Sequence, residues 1–274
     1  MPSLGPLIIT VAAVGAELTR ALQPHLPITP DELVADATAC REAGAAIYHL
    51  HVRDADGNPT MAVDTYKAAL AAITQATDLI VQFSSGGAVT DDESARIAPL
   101  ELRPEMATLT TGTVNFGDEV FSNPQPLVTR FYQRMRELGV LPEFEIFDAG
   151  MIATADRVYE EHGDGHHRHY DFVLGVPGGM PAWPDALDFL AAHLPDGATW
   201  SATGIGSAHL PIAGKTIALG GHVRTGFEDV RFFDRGVLAT SNAQLVSRVV
   251  AMAREAGRPV AHPDQARALL GLKR

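Results

Sequence analysis

His49 and His51 stand two residues apart in the run AIYHLHVRD. A strand projects positions i and i+2 to one face, so the two imidazoles point the same way. Neutral imidazoles so placed suit a single divalent ion, and zinc is the usual occupant of such a pair. Two histidines hydrogen-bonded within a core would give the same motif. A catalytic zinc takes three protein ligands and keeps one position open. Far along the chain, the run GGHVRTGFED offers Glu228 as a candidate third ligand. Beside it, Arg224 and Asp229 have the types needed to hold an anionic substrate and to handle a proton; a salt bridge between loops is the alternative.

Other carboxylates and hydroxyls collect at the ends of short apolar runs. Glu17 follows the first run in VGAELTR, Ser84 and Ser85 close QFSSGG, and Thr108, Thr110 and Thr111 close MATLTTG. Glu143 and Glu145 share one face of PEFEIF. Facing a core, such a carboxylate is costly unless it is paired or bound to a metal.

The elements that must position these groups alternate along the whole chain. Strand-like runs are expected at 7–14, 46–52, 79–85, 106–112, 141–147, 170–176, 198–205 and 220–226. Helices are expected over 30–43, 64–76, 91–98, 124–138, 150–162, 184–194, 208–218 and 241–256, with a short terminal one over 263–271. For the first helix, Thr29 is the expected N-cap, Pro30 the first helical residue and Gly44 the stop. Alternating strands and helices imply a parallel sheet, and eight repeats suggest one closed (β/α)8 TIM barrel domain over residues 1–274. A doubly wound open sheet would carry a GxGxxG turn after the first strand, and TVAAVGAEL has none. Closure sets the eighth strand beside the first, and so brings Glu228 within reach of the histidine pair. Catalytic groups of such barrels gather at the C-terminal ends of the strands.

Composition narrows the function. The 274 residues are 46% hydrophobic and 20% charged, with a formal net charge of −12. No Lys/Arg run offsets that charge, so neither nucleic acid nor an anionic membrane is an expected partner. The single cysteine, Cys40, excludes an intramolecular disulfide and is expected to be buried in the first helix. The N-terminus has no basic segment ahead of its apolar run, and no apolar stretch approaches the ~20 residues of a membrane span. A cytoplasmic enzyme fits these features. The one biased segment, HGDGHHRH, holds His162, His166, His167 and His169 and reads as a solvated loop at the barrel end away from the chemistry.

At HLHVRD, SSGGAV, RPEMATL, NFGD, PEFEIFD, GVPGGM, GGHVRTGFED and SNAQLV the chain resembles the β-keto acid cleavage enzymes, from the first strand to the terminal PDQAR. These are zinc-dependent barrels. The resemblance implies conversion of a β-keto acid and acetyl-CoA to acetoacetate and a new acyl-CoA. It also implies that His49, His51 and Glu228 hold zinc and that Arg224 pairs with a negative oxygen. Asp229 would work with Arg224 on a proton, taken here to come from the acetyl methyl group. Ser84 and Thr108 match the family's hydrogen-bonding positions, with Ser85 and Thr110 as the neighbouring alternatives, and Glu145 matches its fifth-strand carboxylate.

The segment TVAAVGAELTRALQPHLPITP is similar to the version that accepts 3-keto-5-aminohexanoate in lysine degradation, where a glutamate at the position of Glu17 meets the substrate's ammonium. Arg20 and Gln23 offer another way to shape that pocket, and dehydrocarnitine, β-ketoglutarate or a simple β-keto acid stay open as substrates. Members of the family often have Thr before the glycine of this segment, where this chain has Val14. The resemblance further implies a homotetramer. The glycine-rich runs at 175–180 and 204–209 are the expected places for CoA phosphates, unless their glycines merely make turns. Two other classes fit the same motifs: a zinc hydrolase that needs no CoA, and a non-catalytic binding barrel.

Overall fold

Eight short runs, most of them rich in Ile, Val, Leu and Phe, form strands that close into a barrel. They are β1 (Ile9–Ala12), β2 (Ile47–Leu50), β3 (Ile80–Phe83), β4 (Met106–Thr110), β5 (Leu141–Ile146), β6 (His169–Leu174), β7 (Thr199–Gly204) and β8 (His222–Thr225). The computed structural model describes residues 4–183 and 185–272. Every strand pairs in parallel with the next in sequence, and β8 closes on β1 with Thr10 opposite Arg224. Ala12 lies opposite His49 on the other side of β1, so this short strand is the bridge between the two distant motifs.

The helices are α1 (Pro30–Ala43), α2 (Val63–Ala76), α3 (Glu93–Ile97), α4 (Gln125–Leu138), α5 (Gly150–His162), α6 (Ala186–Ala192), α7 (His209–Leu219), α8 (Asn242–Glu255) and α9 (Pro263–Leu270). In α1 the expected signals all act. The Thr29 side chain caps the Glu32 amide, Glu32 returns a bond to Thr29, Pro30 opens the helix, and Gly44 ends it with a left-handed turn. Residues 98–102 continue α3 as a 3-10 turn, because Pro99 has no amide to donate to an α-helical ladder. Residue 184, where α6 was expected to begin, lies outside the described residues.

Alternate strand positions divide the barrel. Val11, Tyr48, Leu50, Phe144, Tyr170 and Phe172 point outward and pack in the core under the helices. There the Tyr48 hydroxyl donates to Asp36 of α1 at 2.9 Å, and Cys40 is fully buried beside them. The other alternates face inward. Ile8, Ile47, Ile80, Met106 and Leu141 form an apolar plug at the bottom, covered by Ala266 and Leu270 of α9. Above this plug the interior turns polar, with Gln82, Thr108, Glu143, His169, Ser201, Asp171 and Arg224 all buried.

Three small antiparallel ribbons sit on the loops after β2, β4 and β8 and were not expected: Val52–Arg53 with Pro59–Thr60, Val114–Phe116 with Glu119–Phe121, and Phe232–Asp234 with Val237–Leu238. Strands of two or three residues are too short to show an alternating pattern. The HGDGHHRH segment is exposed over 162–165, as expected of a solvated loop, but its second half turns inward. Asp164 bonds His166 at 2.7 Å, the rings of Tyr132 and Tyr159 flank His166, and His169 is the buried first residue of β6. Tyr132 of α4, 34 residues away, and the nearer Tyr159 of α5 draw this half inward. Among the described residues, no helix is long and apolar enough to cross a membrane.

Candidate active site

The C-terminal end of β2 carries His49 and His51 to the barrel mouth, where Glu228 meets them from the loop after β8. His49 Nε2 lies 3.6 Å and His51 Nε2 3.7 Å from Glu228 Oε2. The three ligand atoms all fall within 4.8 Å of one another. Glu228 Oε2 is buried and has no hydrogen-bond partner, which is costly unless a cation sits against it. His49 Nδ1 donates to Gln82 Oε1 at 2.7 Å, leaving the lone pair of a neutral ring on Nε2, toward Glu228. Burial, helped by the charge of Arg224, holds the His49 imidazole down at about 3; burial also lowers that of His51. Two neutral imidazoles and one carboxylate are a donor set suited to a divalent metal ion.

Glu228 reaches this position because the chain passes close by at Gly15. A Cβ at that glycine would come 2.7 Å from Glu228 Cγ, and its φ of +67° is left-handed. The opposing loop is pinned by Arg53, whose guanidinium donates to the carbonyls of Gly15 (2.7 Å) and Leu18 (2.8 Å). Val14, where a threonine was the alternative, is buried in the core.

Arg224 is buried among three acids. It donates to both carboxylate oxygens of Asp229, at 2.9 and 3.1 Å, to Glu228 Oε1 at 2.5 Å, and to Glu145 Oε1 at 3.4 Å. Burial opposes its charge, but Asp229, Glu228 and Glu145 outweigh that and keep it protonated. Burial also opposes charge on Glu228, yet Arg224 holds its carboxyl at about 2. Asp229 is pushed up to about 7 by burial against the pull of Arg224, with Glu228 adding repulsion. Burial likewise pushes Glu145 to about 8; its other oxygen accepts from the Thr110 hydroxyl at 2.8 Å. An aspartate poised near neutrality against a fixed guanidinium is equipped to take and return a proton.

These groups open into a cavity of about 260 Å³, lined also by Glu17, Ser84, Phe116, Phe121, Phe147 and Val176. Glu17 is exposed on this lining and makes no ion pair among the described residues. Thr108 does not line the cavity. Its hydroxyl accepts from the Ser85 amide at 3.3 Å, while the Ser85 hydroxyl donates to the Thr108 carbonyl at 2.5 Å. Of the alternative pairs, Ser84 lies on the cavity and Thr110 lies behind it on Glu145. Arg20 and Gln23 do not shape the pocket. Arg20 pairs with Glu32, and the buried Gln23 amide ties the first loop to the carbonyls of Arg231 and Ala239. Gln82 and Arg53 escaped the sequence reading because their roles are set by strand register and loop packing, which no local pattern encodes.

A family model described as beta-keto acid cleavage enzyme matches residues 6–272. The chain is 45% identical over 270 residues to the 3-keto-5-aminohexanoate cleavage enzyme of Fusobacterium nucleatum subsp. nucleatum, covering 98% of both chains. It is 42% identical over 272 residues to the 3-oxoadipate:acetyl-CoA acetyltransferase of Cupriavidus necator, covering 97% of this chain and 95% of that one. Among solved structures, the apo form of ObcA superposes with a TM-score of 0.81 at 20% identity, over 91% of this chain and 66% of that one. That likeness concerns the barrel alone.

Proposed function

The chain belongs to the beta-keto acid cleavage enzyme family, and from that premise we propose that it transfers the acyl part of a β-keto acid to CoA, with acetyl-CoA as co-substrate and 3-keto-5-aminohexanoate as the keto acid. One observation carries the reaction: the unpartnered oxygen of Glu228 faces two neutral histidines beside the Arg224–Asp229 pair, in a single cavity. The metal is assigned as zinc, held by His49, His51 and Glu228, and when bound it supplies Lewis-acid polarisation of the keto oxygen.

Atom balance then distributes the remaining work. Acetoacetate keeps C1 and C2 of the keto acid, so the C2–C3 bond and the acetyl C–S bond break. A bond from C2 to the acetyl carbonyl carbon and a bond from sulfur to C3 replace them. The carbanion needed is therefore at C2 of the keto acid, and the acetyl methyl proton expected from the sequence stays where it is. Asp229 takes the C2 proton and returns it to acetoacetate, and Arg224 neutralises the enolate oxygen or the carboxylate beside it. The apolar walls Phe116, Phe121 and Phe147 exclude water, which would otherwise hydrolyse the thioester.

Glu17 carries the choice of substrate. Arg224 already engages Glu145, Glu228 and Asp229, so Glu17, which feels the charge of Arg53 but forms no ion pair with it, is the lining acid left to meet an ammonium. A second carboxylate, as in 3-oxoadipate, would be repelled there. The test is turnover of both keto acids with and without acetyl-CoA. The expected result is acetyl-CoA-dependent turnover that favours the aminated substrate, with Glu17→Gln cutting its kcat/KM by about 10–100-fold. Preference for 3-oxoadipate would overturn the substrate, and turnover without CoA would replace the reaction with hydrolysis. The same reading includes a homotetramer, which light scattering of the purified protein checks.

A further inference from the structure

A second cavity of about 760 Å³ lies beside the first and shares Leu18, Ile205, Glu228 and Asp229 with it. It occupies the space between the start of α7 and the ribbon after β8, above the ends of β7 and β8. Phosphate sites of this barrel class commonly form at the loops following those two strands. The Gly206 amide donates to the Asp229 carbonyl at 2.8 Å, so the two loops meet where the cavities join.

The wall chemistry of this groove is mixed. It is apolar at Leu210, Pro211 and Phe227. It also carries Arg231, Arg235 and Phe232, with Asp234 among them accepting from the Arg235 amide at 2.8 Å. Neither arginine makes an ion pair or a side-chain hydrogen bond among the described residues, although the chain carries a net charge of −12. The Arg231 guanidinium lies 5.1 Å from the centre of the Phe232 ring, and Phe232 is 39% exposed. Ser207 adds an exposed hydroxyl, and His209 lines the wall, buried, with no partner for its Nε2. A groove that joins the reaction cavity and offers apolar wall, two arginines without carboxylate partners and an exposed aromatic ring matches one kind of ligand: a thiol on a long, weakly polar arm that ends in a phosphorylated purine nucleotide.

We propose that this groove holds the nucleotide and pantetheine parts of the CoA thioester, with Arg231 and Arg235 on its phosphates and Phe232 under its purine. The inference rests on the CoA-dependent function proposed above and adds the place where the co-substrate binds. A cavity of about 260 Å³ accommodates a short keto acid and an acetyl group, so the bulk of a CoA molecule must lie outside it. The shared doorway at Leu18 and Ile205 leads its sulfur toward Glu228 and Asp229. Of the two glycine-rich runs expected at phosphates, the one at 204–209 borders this groove. The run at 175–180 is instead held to the β4 loop ribbon, where Gly117 donates to the Pro177 carbonyl at 2.9 Å.

Steady-state kinetics with each substrate varied in turn provides the test, on wild type, R231A, R235A, F232A and a charge control, R130A, whose exposed side chain pairs with Glu93. The backbone carbonyl of Arg231 holds the ribbon, so removing its side chain spares those bonds. The expected result is a rise in KM for acetyl-CoA of about tenfold for each groove arginine, with KM for the keto acid unchanged and R130A behaving as wild type. Acetyl-dephospho-CoA, which lacks the ribose phosphate, should show a smaller loss in at least one arginine variant than acetyl-CoA does. An unchanged KM for acetyl-CoA in all three groove variants, with wild-type turnover intact, overturns this site and leaves the function standing. Wild-type turnover that ignores acetyl-CoA overturns both.

Discussion

Two clusters of histidine and carboxylate stand one above the other inside the same barrel, and they have opposite fates. At the mouth, His49 and His51 are neutral, Glu228 is anionic, and one of its oxygens faces a cavity with no partner. Deeper, where β5 and β6 pair, His169 Nε2 lies 3.1 Å from Glu143 Oε2, and both side chains are 1% exposed. The Thr199 hydroxyl holds the other ring nitrogen of His169 at 2.8 Å. Burial opposes the Glu143 charge, but His169 outweighs it and keeps the carboxyl below its ordinary value. Neither residue lines the mouth cavity, and the apolar plug and α9 close the barrel beneath them. The same residue types therefore pair with each other deep in the barrel, while at the mouth they leave a carboxylate oxygen facing two imidazoles on an open cavity, the arrangement we propose holds a metal ion.

Variants that exchange these fates test the difference. The largest effect is expected at the mouth. His49→Ala should lower turnover at least about a thousandfold, since Lewis-acid stabilisation worth several kcal/mol is lost, while chemical denaturation stays close to wild type. Glu228→Gln should lose as much turnover and some stability too, because it breaks the buried ion pair with Arg224. A stability loss in His49→Ala as large as its activity loss would make the mouth cluster structural as well.

Below it the pattern should reverse. His169→Ala leaves a buried carboxylate unpaired and should cost about 3–5 kcal/mol in urea denaturation, with metal content unchanged. The intact pair should also titrate. Because the Glu143 pKa is lowered in the folded state, its contribution is present above the ordinary value of 4.5 and is lost as pH falls below it. Wild type should thus lose stability on acidification more steeply than His169→Ala. Parallel curves would break the comparison.

A smaller effect joins the two regions. Gln82→Leu removes the acceptor that orients His49 and should weaken metal affinity by about 10–100-fold, measured by competition with a chelating dye.

Much of this was legible beforehand because the signals are local. Strand periodicity carried the eight-fold alternation, Thr29, Pro30 and Gly44 marked the ends of α1, and the HxH spacing put two imidazoles on one face. Barrel closure then made Glu228 a neighbour of both. What stayed hidden depends on register between strands. That His49 lies opposite Gln82, and Glu143 opposite His169, follows only from how β2 and β3, and β5 and β6, slide past each other. The same holds for Thr108 and Thr110. Both face inward on β4, and only the stagger of the barrel decides that Thr110 meets Glu145 while Thr108 is spent on Ser85. The second cavity was hidden for a related reason, since its arginines flank the first strand of a ribbon too short to announce itself.

The central claim is that the mouth cluster is completed by a metal ion, and metal analysis of the purified protein by mass spectrometry tests it most directly. The account predicts one zinc ion per chain in wild type, its loss in His49→Ala, and its retention in His169→Ala. A metal-free wild-type protein that still turns over its keto acid at full rate would contradict it.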